Sequence, residues 1–102
     1  MINVLVIIEV KNFAALASFE RIAVEIMRSH GGDMIKAFET SRGEGQSGRE
    51  VHLLEFPSEQ AFANYRADSR LLEHAELRDK AIQSTAVMQS STFKYYAEFA
   101  SR

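Results

Sequence analysis

The chain has 102 residues, a formal net charge of −2, 46% hydrophobic and 25% charged residues, and no cysteine. These values are typical of a globular protein, and we expect one domain over residues 1–102. The charge gives no electrostatic basis for binding nucleic acid. The lack of cysteine excludes disulfides, thiolate metal sites and cysteine nucleophiles.

The first residues, MINVLVIIEVK, are apolar but do not have the features of a signal peptide. They lack a basic start, and Glu9 and Lys11 end the apolar run early. The run is also too short to span a membrane. We therefore expect a cytoplasmic protein that does not contact membranes.

Two elements with different periodicity follow each other at the start of the chain. Residues 2–10, rich in Val and Ile, predict strand β1. Residues 13–29 predict an amphipathic helix, α1, because their apolar side chains recur at helical spacing: Leu16, Phe19, Ala23, Ile26 and Met27. Charged residues, Glu20 among them, are expected on the remaining surface of this helix.

The sequence His30-Gly31-Gly32 comes directly after this helix and allows two interpretations. The first is a helix stop, in which Gly31 adopts a left-handed backbone, Gly32 lets the chain reverse, and His30 faces the negative end of the helix dipole. The second is a ligand site. Backbone geometry accounts for all three residues, so we favour the helix stop and expect that His30 is not essential.

The remaining residues predict three more strands and a second helical stretch. Residues 33–40 predict β2, residues 41–49 a glycine-rich loop, and residues 50–56 β3. Ser58 is a candidate N-cap for a helix that turns Ala61, Phe62 and Tyr65 inward, falters near 67–69, and resumes over 70–81. Residues 84–96 predict β4 with an aromatic end. The order βαββαβ predicts a ferredoxin-like α+β fold, with an antiparallel sheet of order 4-1-3-2 and helices on one face.

The sheet face without helices is too apolar to be exposed to water. Leu5, Ile7, Val51 and Leu53 are expected there, whereas an exposed antiparallel face would carry polar residues. A second copy of the chain would cover this face and form a dimeric α/β barrel. The aromatic residues near the C-terminus are expected to wrap the partner: Phe93, Tyr95, Tyr96 and Phe99.

Several short motifs resemble a known family. They are HGG at 30–32, Glu44-Gly45, EFPS at 55–58, Ala61, Tyr65, and Leu77-Arg78. In order and spacing they resemble the domain-of-unknown-function family numbered thirteen-thirty, within the dimeric α/β-barrel superfamily. A second tyrosine expected near position 70 is absent, and the tail runs past the usual end. The resemblance implies the fold and a homodimer, but it does not imply a reaction.

Five residues are candidates for a pocket, although none is assigned a catalytic role. Glu55 is a possible general base at the end of β3, and Arg78 lies on an apolar helical stripe where it should meet an acid, either Glu55 or a ligand carboxylate. His52, Tyr65 and His30 complete the set. Structural ion pairs or hydrogen bonds are the alternative interpretation for Glu55 and Arg78. Glu9 and Glu55 are expected at opposite ends of the sheet and cannot form a dyad.

No metal or cofactor is expected. The three histidines lack the spacing of a metal site, and no dinucleotide-binding or phosphate-binding glycine motif is present. Two classes of function remain open. The first is a homodimer that binds a small organic molecule between sheet and helices, with or without a cofactor-independent reaction such as those of related monooxygenases and isomerases. The second is a non-enzymatic dimerisation or regulatory module.

Overall fold

The computed structural model describes residues 1–96 of the chain. Four strands and four helices follow one another: β1 (Ile2–Val10), α1 (Phe13–Ser29), β2 (Asp33–Arg42), β3 (Gly48–Phe56), α2 (Glu59–Arg66), α3 (Ser69–Leu72), α4 (Ala75–Ala81) and β4 (Ile82–Ser90). The strands form one antiparallel sheet of order β2-β3-β1-β4. The predicted fold and strand order are therefore confirmed.

Helix α1 covers the sheet with the side chains that its periodicity predicted. All five predicted apolar residues are buried: Leu16, Phe19, Ala23, Ile26 and Met27. Asn12 caps the start of the helix, because its side chain accepts a hydrogen bond of 2.8 Å from the amide of Ala15. This cap and the buried stripe together fix the start and the orientation of α1.

The helix stop at His30-Gly31-Gly32 is confirmed for Gly31, which has φ +78°. Its amide donates to the carbonyl of Arg28, and the amide of Gly32 donates to that of Met27, which closes the helix end. Gly32 has a different role from the one predicted. A Cβ atom at Gly32 would lie 2.4 Å from the ring of buried Phe56, so close packing, not chain reversal, requires a glycine here.

The second helical stretch divides into three short helices instead of two. Ser58 caps α2 as predicted, accepting from the amide of Ala61 at 3.0 Å. Asp68 then caps α3, with its side chain accepting from the amide of Arg70 at 2.8 Å. A further break at 73–74 separates α3 from α4. The chain therefore bends twice as it passes over the sheet.

The strand β4 is shorter than predicted and starts earlier. It begins at Ile82, directly after α4, and ends at Ser90, which pairs with Asn3. The neighbouring strand β1 starts at Ile2, so β1 offers β4 no further pairing beyond this point. Residues 91–96 are consequently not a strand, although their aromatic composition favours one. Phe99 lies outside the described residues.

The buried core between sheet and helices consists of two clusters. One centres on Val4, Phe56 and Phe62, and the other on Ile8, Leu16 and Phe19. Val6 and Leu71 are only partly buried and pack against both clusters. The interior is therefore divided, and the space between the clusters is the part of the fold where a cavity forms.

Within residues 1–96, no helix lies on the opposite face of the sheet. The register places Leu5 beside Leu53 and Met88, and Ile7 beside Val51 and Ala86. Leu5, Ile7, Val51 and Leu53 are half-buried, and Met88 is 50% exposed. Phe38, paired with Val51, extends the same face and is also 50% exposed. The predicted apolar face is thus present.

Candidate functional site

A cavity of about 260 Å³ lies between the sheet and the helices, on the helix side of β1 and β3. Apolar side chains make up most of its wall, including Val6, Leu54 and Leu71. Its polar lining consists of six residues from five different elements: Glu20, His52, Tyr65, Arg66, Arg78 and Thr85. A largely apolar cavity with a few convergent polar groups is typical of a small-molecule site.

Glu20 is the carboxylate of this cavity, and the sequence interpretation placed it on the solvent-facing side of α1. Burial raises the pKa of Glu20, the nearby negative charge of Glu50 adds to the rise, and the positive charges of His52 and Arg78 oppose it. A carboxyl group with a raised pKa in a cleft is suited to proton transfer. The helical spacing could have identified Glu20, which follows buried Leu16 by four residues.

His52 is buried in the cavity wall, with 3% of its surface exposed. Its Nε2 atom lies 2.5 Å from a carboxylate oxygen of Glu50, two residues earlier in β3. The two residues share a sheet face because side chains alternate along a strand. The Glu50 carboxylate therefore holds the imidazole ring in one orientation and leaves its other nitrogen for other contacts.

Tyr65 and Arg78 approach the cavity from α2 and α4. Tyr65 is buried, and its pKa is raised strongly, first by burial and then by the negative charge of Glu20, with Arg78 opposing the rise. Its phenol therefore stays protonated as a hydrogen-bond donor. Arg78 is exposed, as is Arg66, so these two guanidinium groups lie at the mouth of the cavity.

Glu55 does not reach this cavity. It pairs with Asn3 and Asp33 in the sheet, in the register that carries Leu53 and Val51 on the face without helices. Of the two acids suggested as partners of Arg78, Glu55 is therefore ruled out, because the sheet separates the two side chains. Glu9 pairs with Arg49 at the other end of β1, so Glu9 and Glu55 are far apart, as expected.

His30 also lies outside the lining of the cavity, in a polar cluster that joins α1 to α3. Its Nε2 atom is 2.7 Å from Asp68, which also accepts hydrogen bonds from Arg70. Arg70 in turn donates to the hydroxyl of Ser29 at 2.7 Å. The hydrogen bonds from Arg70 and then His30 lower the pKa of Asp68 well below its usual range. His30 therefore positions α3, whose Leu71 and Leu72 line the cavity.

Two other types of site can be assessed over residues 1–96. No group of three or more His, Cys, Asp or Glu side chains in this range is arranged to hold a metal ion. No helix within the same residues is long and apolar enough to cross a membrane.

An antiparallel βαββαβ sheet with helices on one face, and a cavity beneath those helices, defines the ferredoxin-like class that includes the dimeric α/β barrels. The chain belongs to the family described as domain of unknown function DUF1330, which it matches over residues 3–92. This confirms the resemblance found in the sequence. A comparison with curated proteins finds no match to this chain.

Solved structures with the same fold come from several bacteria. Protein Atu4242 from Agrobacterium tumefaciens is 21% identical, with a TM-score of 0.69 over 95% of this chain and 98% of that one. RPA0582 from Rhodopseudomonas palustris, of unknown function, is 16% identical, with a TM-score of 0.72 over 92% and 83%. SnoaB from Streptomyces nogalater, a cofactor-independent oxygenase, is 10% identical, with a TM-score of 0.67 over 94% and 96%. At these identities the likeness shows the fold alone.

Proposed function

We propose that the protein binds a small organic molecule in the cavity between sheet and helices. The observation that carries the proposal is the cavity itself, about 260 Å³ of mostly apolar space that Glu20, His52 and Tyr65 line with polar groups. A cavity used only for packing would be filled by side chains, because protein interiors are close-packed. The polar groups would fix the orientation of the bound molecule.

We extend the proposal to a cofactor-independent reaction that begins with removal of a proton from the bound molecule. Glu20 is the proton acceptor, because its raised pKa brings it closer to neutral pH than an ordinary carboxylate. His52, held by Glu50, and the phenol of Tyr65 would stabilise the resulting anion through hydrogen bonds. The fold shared with SnoaB, a cofactor-independent oxygenase, supports a monooxygenase-like reaction, and an isomerase-like one needs the same first step.

The binding proposal is tested by filling the cavity. Ala75 lines the cavity but is exposed, so Ala75→Phe should block the space without disturbing the core. Ala63→Phe is the matched control, since Ala63 is exposed on α2 and does not line the cavity. In a thermal-shift screen of small organic compounds, ligands that stabilise the wild type and Ala63→Phe should have no effect on Ala75→Phe.

The same ligands test for chemistry. The wild type should catalyse exchange of ligand C–H protons with D₂O, followed by NMR, and it should consume oxygen if the reaction is monooxygenase-like. Both signals should be lost in Glu20→Gln. If ligands bind but neither signal appears with any of them, the proton-transfer proposal is wrong and a non-enzymatic binding module is favoured. If no compound distinguishes Ala75→Phe from Ala63→Phe, the binding proposal itself is wrong.

We further propose that the protein is a homodimer that pairs its helix-free sheet faces. The support is the row of apolar side chains on that face, Leu5, Ile7, Val51 and Leu53, flanked by exposed Phe38 and Met88. Two such faces packed together would remove on the order of 1,000 Å² from water, which is the lower range of specific interfaces. Phe93 and Tyr95, which are 61% and 85% exposed, are positioned after β4 where they could add to the contact.

A further inference from the structure

Two arginines at the mouth of the cavity have no carboxylate partner among residues 1–96. Arg66, in the last turn of α2, and Arg78, in α4, both line the cavity and are both exposed. Neither takes part in a salt bridge within this range. The guanidinium of Arg66 lies 5.4 Å from the ring centre of Phe62. Because Phe62 lines the cavity, this positive charge lies against the cavity wall.

This arrangement differs from that of most other arginines among residues 1–96. Salt bridges to Asp or Glu are made by Arg28, Arg42, Arg49 and Arg70. These pairs lie away from the cavity, on the rim of the sheet and at the ends of helices. Arg21, which is exposed on α1 and does not line the cavity, also makes no salt bridge in this range and donates instead to the carbonyl of Ala17. Two of the three arginines without a salt bridge among residues 1–96 therefore lie at the cavity mouth, where a ligand would enter.

Among the residues that line the cavity, Glu20 is the carboxylate that could act as a counter-ion for Arg78. The positive charge of Arg78 acts on Glu20, but no ion pair within 4.0 Å forms between them. Burial disfavours the charged form of Glu20, so this residue is a poor partner for a guanidinium. The positive charge at the mouth is consequently left for an anion that comes from outside the chain.

We infer that the cavity takes a small organic carboxylate, whose apolar body fills the space between the two core clusters and whose carboxylate lies between Arg66 and Arg78. The inference rests on the proposed function and names its ligand class. A guanidinium matches a carboxylate through two parallel hydrogen bonds. The wall beyond the mouth is mostly apolar, with Leu54, Phe62 and Val87 among its residues, which favours a compact hydrocarbon body over a second charge.

Matched pairs of a carboxylate and its neutral amide test this inference. Benzoate is compared with benzamide, and cyclohexanecarboxylate with cyclohexanecarboxamide, by calorimetric titration of the wild-type protein. Each carboxylate should bind roughly tenfold more tightly than its amide, a difference of about 1.4 kcal/mol, because a charged acceptor makes the stronger hydrogen bond to a guanidinium. The preference should weaken with added salt, because the mouth is open to solvent.

Variants of the arginines locate the preference. Arg78→Gln and Arg66→Gln should each weaken binding of the carboxylate more than binding of the amide, which reduces or removes the preference. Arg78→Lys should restore part of it, because it keeps the charge but not the planar fork. Lys80→Gln is the control, since Lys80 is an exposed cation of α4 that does not line the cavity. Thermal melting without ligand checks that each variant is folded.

The outcomes separate this inference from the proposed function. Equal affinity for carboxylates and amides, with both lost in Ala75→Phe, would overturn the inference and leave the proposed function standing. Carboxylate binding that persists in Ala75→Phe would indicate an anion site on the surface and would also overturn the inference. Displacement of the carboxylate by inorganic phosphate, equally well from the wild type and from Ala75→Phe, would lead to the same conclusion. If no member of either pair binds, and the compound screen with Ala75→Phe finds no ligand either, both proposals are wrong.

Discussion

At the scale of single residues, substitutions at three glycines distinguish the effect of backbone strain from the effect of steric overlap. Gly45 has φ +72°, and a Cβ atom added there would have no described atom within 4 Å, so Gly45→Ala introduces backbone strain alone. Gly31 has φ +78° and would also bring its Cβ to 2.8 Å from the ring of Pro57. Gly32 has no left-handed backbone, but its Cβ would lie 2.4 Å from the ring of Phe56, which is buried in the core.

We predict that alanine at each of these glycines lowers the free energy of unfolding, by an amount that depends on strain and contact. Gly45→Ala should cost about 1–2 kcal/mol from left-handed strain, and Gly31→Ala should cost more, because Pro57 must also move. Gly32→Ala should cost roughly 1–3 kcal/mol by overpacking against Phe56. Chemical denaturation of the three variants measures these values. If Gly31→Ala and Gly32→Ala cost no more than an ordinary substitution on the exposed surface, the contacts given above for the end of α1 would be contradicted.

At the scale of secondary-structure elements, the polar cluster of His30, Asp68, Arg70 and Ser29 joins the end of α1 to the start of α3. Asp68 has three roles at once: it caps α3 by accepting from the Arg70 amide, and it accepts hydrogen bonds from the side chains of His30 and Arg70. The sequence interpretation treated His30 as dispensable, and the contact with Asp68 was not predicted. The cluster therefore couples the HGG sequence to the helix that closes the cavity.

The lowered pKa of Asp68 predicts how stability depends on acid. The folded protein binds a proton at Asp68 less readily than the unfolded chain, in which an aspartate has a pKa of about 3.9. The stabilisation is therefore fully present above about pH 4 and is lost as the pH falls further. Asp68→Asn should lower the free energy of unfolding at neutral pH, and its difference from the wild type should shrink below about pH 4.

Equilibrium unfolding in urea over a range of pH measures this difference. Asp79→Asn is the control, since the exposed Asp79 side chain makes no ion pair within residues 1–96. A constant difference between wild type and Asp68→Asn from neutral to acid pH would show that the carboxylate charge is not what joins α1 to α3.

At the scale of the whole molecule, the two faces of the sheet differ in what covers them. The helices cover one face and leave a cavity beneath them, while the other face carries half-buried Leu5, Ile7, Val51 and Leu53 with no covering element among residues 1–96. A monomer would expose this apolar face together with Phe38 and Met88, which soluble monomers seldom do. The proposed homodimer removes this exposure.

We predict that the protein sediments as a dimer at micromolar concentration and that Leu53→Lys produces a monomer or an aggregate. Leu53 lies in the central strand β3 between Leu5 and Lys36, so a charge there would be buried in the proposed interface. Ala63→Lys, on the exposed side of α2, should leave the dimer intact. A wild-type protein that is monomeric, folded and soluble would contradict the proposed interface.

Local pattern in the sequence was sufficient to predict the fold. The Val and Ile content identified β1, helical spacing identified α1, and the βαββαβ order then left one economical sheet topology, which the structure has. Because side chains alternate along a strand, Leu5 and Leu53 were expected on one face, and a left-handed Gly31 was predicted from its position after the helix. These features depend on residues close together in the chain, so the sequence by itself determines them.

The composition of the candidate site depended on tertiary structure. His52, Tyr65 and Arg78 were named from the sequence and line the cavity, whereas Glu55 and His30 do not, and Glu20 was missed. The alternation in β3 already placed Glu55 with Leu53, but which face held the cavity depended on how the helices pack. The end of β4 was likewise decided by where its neighbour β1 begins. Contacts between distant elements carry no local sequence pattern, so only the packed structure reveals which charges and cavities they bring together.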